Sequence, residues 1–341
     1  MSILPARTSY FAYRAGEGVA RLVPPGIGAP AARGIAQLAP ALMSARRAQV
    51  ERNLRRVHGP GYGGAALRHD VAATFESYGR YFYELFRLST LTPEWINEHF
   101  HCIGIEHVWA GIDEGRGAVL ALPHLGNWDF AGAWLALQGF SVTVVAEPVE
   151  PPELFEWFVE TRARLGMRVI PLSPSAGTDV LKAVHANEVV CLLADRDLTG
   201  DGIEVDFFGE RTTLPAGPAL TALRGGAPLL PVGCYFMDGA DSRAEIRPPL
   251  DTSRSRAAGT ARSRAAGTSR SRAAGTAGSR TGRLRDDLAR VTQDLAHAYE
   301  ELIRVEPTHW HLLQPNWPSD RRPRSGSGIL FEAATDVTRM G

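Results

Sequence analysis

The chain has 341 residues, a formal net charge of zero, 44% hydrophobic residues and three cysteines. Such a length and apolar content suit one or two large cores, and they exclude a small module stapled by disulfides. An odd cysteine count without paired or metal-type spacing argues for a cytosolic-facing protein with no metal and no cofactor motif.

From the N-terminus, Arg7, Arg14, Glu17 and Arg21 interrupt the apolar residues that a signal peptide would need. No apolar run reaches the ~18 residues required to span a bilayer. Helices are expected from Tyr10 to Ala45 and from Phe75 to Leu91, where Tyr78, Tyr81, Phe82, Leu85, Phe86 and Leu88 recur at helical spacing beside Arg80 and Arg87. Residues 1–100 therefore read as an N-terminal helical region.

Strand-like runs follow at Gly117 to Pro123, Val142 to Ala146, Met167 to Leu172, Val189 to Ala194 and Pro228 to Phe236. They alternate with helical stretches such as Trp128 to Gln138 and Pro152 to Leu165. That alternation predicts an α/β fold, a mostly parallel central sheet flanked by helices, over residues 101–320. A helix from Leu284 to Val305 closes this domain, and residues 321–341 read as a flexible tail.

The segment Leu-Pro-His-Leu-Gly-Asn-Trp-Asp-Phe-Ala-Gly, residues 122–132, carries the chemistry. His124 follows an apolar strand, in a strand-to-helix connection where open α/β sheets collect ligands. An imidazole there can take a proton from an alcohol while a carboxylate on its other nitrogen fixes the tautomer, and Asp129, five positions on, is the nearest candidate. The plainer reading of the same residues is capping: Asn127 as N-cap and Asp129 as a carboxylate in the first helical turn. No Gly-x-Ser-x-Gly elbow occurs, and Cys102, Cys191 and Cys234 lie in or near apolar runs, so the acceptor alcohol is the expected nucleophile.

A second block, Cys191-Leu-Leu-Ala-Asp-Arg-Asp-Leu-Thr-Gly, leads to Val205-Asp-Phe-Phe-Gly-Glu-Arg-Thr-Thr-Leu-Pro-Ala-Gly-Pro-Ala219, and the chain closes on Trp310-His-Leu-Leu-Gln-Pro-Asn-Trp317. With the His124 segment, these resemble the lysophospholipid acyltransferase superfamily, in its lipid A lauroyl and myristoyl acyltransferase branch, and within that the actinobacterial phosphatidylinositol mannoside acyltransferases. The similarity runs from about Tyr10 to Asp320. It implies transfer of a fatty acyl group, palmitoyl for choice, from acyl-CoA as co-substrate to a mannose hydroxyl of a mannosylated phosphatidylinositol. It implies His124 as general base with Asp129 as its orienting partner, Asp195 as a further catalytic acid residue, and Glu147, Arg162 and Arg196 as substrate-binding groups. Asp195 stands where relatives more often carry Glu. A lipid acceptor further implies peripheral attachment to the cytoplasmic face of the cell membrane, with the N-terminal helices as the membrane face and residues 75–91 packed beneath the acyl tail.

Between Ser253 and Gly282 an eight-residue unit, Ser-Arg-Ser-Arg-Ala-Ala-Gly-Thr, repeats with small changes, bringing seven Arg and no acid. It lacks large apolar residues and reads as a disordered insert. Its arginines could meet anionic headgroups, or the insert could be a tolerated surface expansion. No aromatic platform accompanies them, which argues against nucleic acid as a partner.

Overall fold

The computed structural model describes residues 7–23, 25–254 and 275–321. Five helices come first: α1 (Arg7–Leu22), α2 (Pro25–Leu42), α3 (Ser44–His58), α4 (Gly64–Leu88) and α5 (Pro93–His99). Next are β1 (Phe100–Ile103), α6 (Glu106–Asp113), β2 (Ala118–Leu122), α7 (Trp128–Leu137), β3 (Val142–Ala146), α8 (Pro152–Arg164), β4 (Met167–Pro171), α9 (Ala176–His185) and β5 (Val189–Leu193). The chain continues through β6 (Ile203–Phe207), β7 (Glu210–Leu214), α10 (Gly217–Gly225), β8 (Leu229–Phe236), β9 (Ser242–Ile246) and α11 (Gly275–Val305), then short 3-10 turns at Pro307–His309 and Pro318–Arg321.

Seven strands form one sheet in the order β1-β9-β8-β2-β5-β3-β4. Neighbours are parallel except β8 and β9, which run antiparallel. The expected mostly parallel α/β sheet, flanked by helices and preceded by a helical region, is thus the observed architecture. Buried residues on both faces explain the continuous apolar runs of the inner strands. In β2, Val119 and Ala121 join the core under α9, α10 and α11, while Ala118, Leu120 and Leu122 face the core under α5 and α7.

The five expected strands fall where the sequence places them, with ends shifted by a residue. Helix α11 begins at Gly275 rather than Leu284. Strands β1, β6, β7 and β9 were not expected. The turn between β6 and β7 holds Phe208 and Gly209 both at positive φ, 50° and 73°, the geometry of a tight hairpin whose twist matches its strands. Of the insert expected to be disordered over 253–282, residues 255–274 lie outside the described residues, whereas 275–282 belong to α11, which corrects that part of the expectation; of the tail expected over 321–341, residues 322–341 lie outside the described residues.

The first helices pack on α4, and α1 also on α8. Arg87 on α4 donates to the carbonyls of Ala20 and Val23 at 2.9 and 3.1 Å, and Glu17 of α1, buried, accepts from the Trp157 indole of α8 at 3.0 Å. Phe11, Val19, Leu22, Ile27, Ile35, Leu38 and Leu42 of α1 and α2 remain exposed. Among the described residues no helix is long and apolar enough to cross a membrane.

Candidate active site

The register of the sheet builds the site. Leu122 of β2 is paired with Leu193 of β5, so two residues further along parallel strands His124 and Asp195 stand side by side. The Ala194 N–H donates to the Leu122 carbonyl at 2.9 Å, which continues the ladder to that point. His124 Nδ1 lies 2.5 Å from Asp195 Oδ1, and the His124 backbone N–H donates to Asp195 Oδ2 at 3.0 Å.

Asp195 is fully buried. Burial pushes its carboxyl upward, but the adjacent His124 ring and the hydrogen bonds from His124 and Trp310 outweigh that and hold it below the usual range. An ionised carboxylate accepts only, so Nδ1 of His124 donates to it, and in the neutral ring Nε2 is then the nitrogen with the free lone pair. The His124 side chain is 29% exposed, enough for a substrate to reach Nε2.

The last segment of the chain locks this pair. Leu125 forms an antiparallel bridge with Trp310, the Gly126 N–H donates to the His309 carbonyl at 2.9 Å, and the His311 N–H donates to the His124 carbonyl at 2.7 Å. Trp310 Nε1 donates to Asp195 Oδ2 at 2.8 Å, and Asn316 Nδ2 to the Asp195 carbonyl at 3.1 Å. Nothing in the sequence of this closing segment marks Trp310, His311 or Asn316 as neighbours of His124 and Asp195.

Asp129 lies elsewhere, which corrects the expected pairing with His124. At Gly126 the chain turns with φ of 62°, and a Cβ there would sit 2.4 Å from the Cys234 carbonyl oxygen, so only glycine fits. Asn127 then caps α7, its Oδ1 accepting from the Phe130 N–H at 3.0 Å. Asp129, in the first turn beyond, accepts from Arg162 Nε at 2.7 Å, from the second Arg162 nitrogen at 3.1 Å and from the Tyr81 hydroxyl at 2.8 Å. Burial lowers the pKa of Arg162, but Asp129 more than restores it, and burial with Asp129 lifts Tyr81 well above 10. Tyr81 is therefore part of a polar cluster as well as of the aromatic packing expected of its helix.

Glu147 follows β3, on the far side of β5 from β2, and pairs with Arg196 at 3.0 Å. The Arg196 side chain is 15% exposed and that of Glu147 38%, so this pair faces solvent more than the Asp129 cluster does. Asp197 ties its own loop, accepting from Gly200 N–H, Gly202 N–H and the Thr213 hydroxyl at 2.9, 3.0 and 2.7 Å. Burial pushes the thiols of Cys102 and Cys191 up to about 12 and that of Cys234 up as well, so none is a ready nucleophile. Among the described residues no cluster of His, Cys, Asp or Glu is arranged to hold a metal ion.

A histidine–carboxylate pair stands at the joined carboxyl ends of β2 and β5, with a charged pair beyond β3, and such a pair has the chemistry to take a proton from a hydroxyl. Comparisons with known proteins identify the family. The family model described as bacterial lipid A biosynthesis acyltransferase matches residues 3–319. A phosphatidylinositol mannoside acyltransferase of Mycolicibacterium smegmatis is 39% identical over 287 residues, covering 82% of this chain and 83% of the relative. Its Mycobacterium tuberculosis namesake is 39% identical over 278 residues, 80% of this chain and 77% of the relative. A lipid A biosynthesis acyltransferase of Haemophilus influenzae is 28% identical over 44% of this chain and 48% of its own length. The match to nearly the whole chain establishes that this protein belongs to the bacterial lipid A biosynthesis acyltransferase family.

Proposed function

We propose that the protein transfers a fatty acyl group, palmitoyl for choice, from acyl-CoA to a mannose hydroxyl of a phosphatidylinositol mannoside. The observation that carries this is the His124–Asp195 pair with Nε2 open, in a chain 39% identical to two proteins named for that acceptor. Nε2 takes the hydroxyl proton as the sugar oxygen attacks the thioester carbonyl. The carbon–sulfur bond breaks, and the proton passes from the imidazolium to the departing CoA thiolate. Asp195 steadies the imidazolium throughout.

Glu147 and Arg196 are the groups assigned to the sugar hydroxyls and the headgroup phosphate. Arg162 neutralises Asp129 and fixes the first turn of α7, instead of holding substrate. The exposed apolar faces of α1 and α2 lie on the cytoplasmic leaflet, with Ile35, Leu38 and Leu42 at helical spacing along one side of α2. Peripheral attachment brings the site to an acceptor that never leaves the membrane.

The test is purified protein with radiolabelled palmitoyl-CoA and three acceptors in parallel: phosphatidylinositol mannosides, a lysophospholipid and water alone. Label in the mannolipid supports the reading. Label only in phospholipid would reassign the acceptor, label only in free acid would make the protein a thioesterase, and none at all would leave a lipid-binding protein.

A further inference from the structure

Ser77, Tyr81 and Glu84 stand at i, i+4 and i+7 of α4, along one stripe of the helix. Each grips a segment that flanks His124. Ser77 Oγ donates to the Thr308 carbonyl at 2.7 Å and lies 2.8 Å from His311 Nε2, whose residue in turn holds the His124 carbonyl through its backbone. Tyr81 donates to Asp129 at 2.8 Å. Glu84 accepts from Asn127 Nδ2 at 2.7 Å, the same Asn127 that caps α7. The other Glu84 oxygen accepts from Arg80 at 2.6 Å, and Arg80 reaches the carbonyls of Met237 and Asp241 beyond β8 at 2.8 and 3.0 Å.

The stripe is chemically costly for a helix that needs only to pack. Val71, Phe75, Leu85 and Leu88 of α4 already fill the core. Two buried hydroxyls and a partly buried carboxylate cost free energy unless each is hydrogen-bonded, and here the partners lie on both sides of one loop. Burial raises the Glu84 carboxyl against the pull of Arg80 and Asn127, and burial holds His311 well below 6.5, hence neutral, with Nε2 as its donor to Ser77. The His124 loop is thereby clamped in front through Asn127 and Asp129 and behind through His311.

We infer that Ser77, Tyr81 and Glu84 act as one set of positioning residues, fixing the loop that carries His124 and hence the direction in which Nε2 meets the acceptor hydroxyl. They act through His311, Asp129 and Asn127. The inference rests on His124 being the base.

Two readouts test it on the full-length protein. Ser77→Ala and Tyr81→Phe should each lower kcat at least tenfold with KM for acyl-CoA and mannolipid within threefold of the parent, and Ser77→Thr should restore most of the loss. In the absence of substrate, ring nitrogen NMR, with the His124 signal assigned by His124→Gln, should show a single Nδ1–H tautomer in the parent and a mixture in Ser77→Ala and Tyr81→Phe. Unchanged kcat, or a change confined to KM or to melting temperature with the tautomer intact, overturns the inference. If Tyr81→Phe fails to fold, the Ser77→Ala and Ser77→Thr pair decides. If the parent acylates no mannolipid, the proposed function fails, and the nitrogen spectra still report separately whether the stripe holds the ring.

Discussion

Replacing Asp195 by Asn keeps its shape and changes which proton His124 can carry. The His124 N–H and the Trp310 indole both donate to Oδ2, at 3.0 and 2.8 Å, so the amide oxygen must take that position. The amide NH2 then occupies the place of Oδ1, 2.5 Å from His124 Nδ1. Two donors cannot face each other there, so Nδ1 becomes an acceptor and the ring proton moves to Nε2, which can no longer accept one. The flipped amide avoids this only by setting its NH2 against two buried donors, at about 1–3 kcal/mol for each unsatisfied group. Losing the base should cost roughly 10²–10⁴ in kcat, about 3–5 kcal/mol in barrier. The assay is initial-rate acyl transfer with circular dichroism confirming the fold. A folded Asp195→Asn protein within about threefold of the parent kcat would mean that Asp195 does not set the His124 tautomer for catalysis.

Asp129→Ala strands the buried Arg162 guanidinium and should lower unfolding free energy by about 3–5 kcal/mol in urea titrations, with Asp129→Ala combined with Arg162→Met regaining part of it. His309 has its pKa lowered to about 4 by burial and by Arg80 and Arg243, so the unfolded chain takes up this proton first as pH falls. The stability tied to it is present above about 6.5 and is lost between pH 6.5 and 4, with a slope near 1.4 kcal/mol per pH unit that should flatten in His309→Gln. Leu22→Ser, Leu38→Ser and Leu42→Ser together should weaken co-sedimentation with anionic vesicles at least tenfold, each buried Leu contributing about 1.5–3 kcal/mol. Unchanged sedimentation would move the membrane face elsewhere.

Strands buried on both faces, such as Ala118–Leu122 and Val189–Leu193, were legible because parallel-sheet interiors write themselves as apolar runs. Strand β9, Ser-Arg-Ala-Glu-Ile, alternates polar and buried residues and carries no such run, and the turn at Phe208 places an aromatic where glycine or asparagine would have signalled a hairpin. The site was legible in its members but not in its pairing. Asp129 is near His124 in the chain, yet the turn at Gly126 and the start of α7 carry it toward Arg162, while strand register brings in Asp195 from 71 residues away. Trp310 and Asn316 meet Asp195 across 115 and 121 residues, separations that no local pattern announces.

Whether His124 is the base of an acyl transfer to a mannose hydroxyl is decided by single-turnover transfer from radiolabelled palmitoyl-CoA to phosphatidylinositol mannosides by the parent protein and by His124→Ala, both at saturating acceptor. If it is, the parent labels the mannolipid and the variant does so at a rate at least ~10²-fold lower, with acyl-CoA binding retained. A His124→Ala protein that labels the mannolipid at the parent rate would contradict that role.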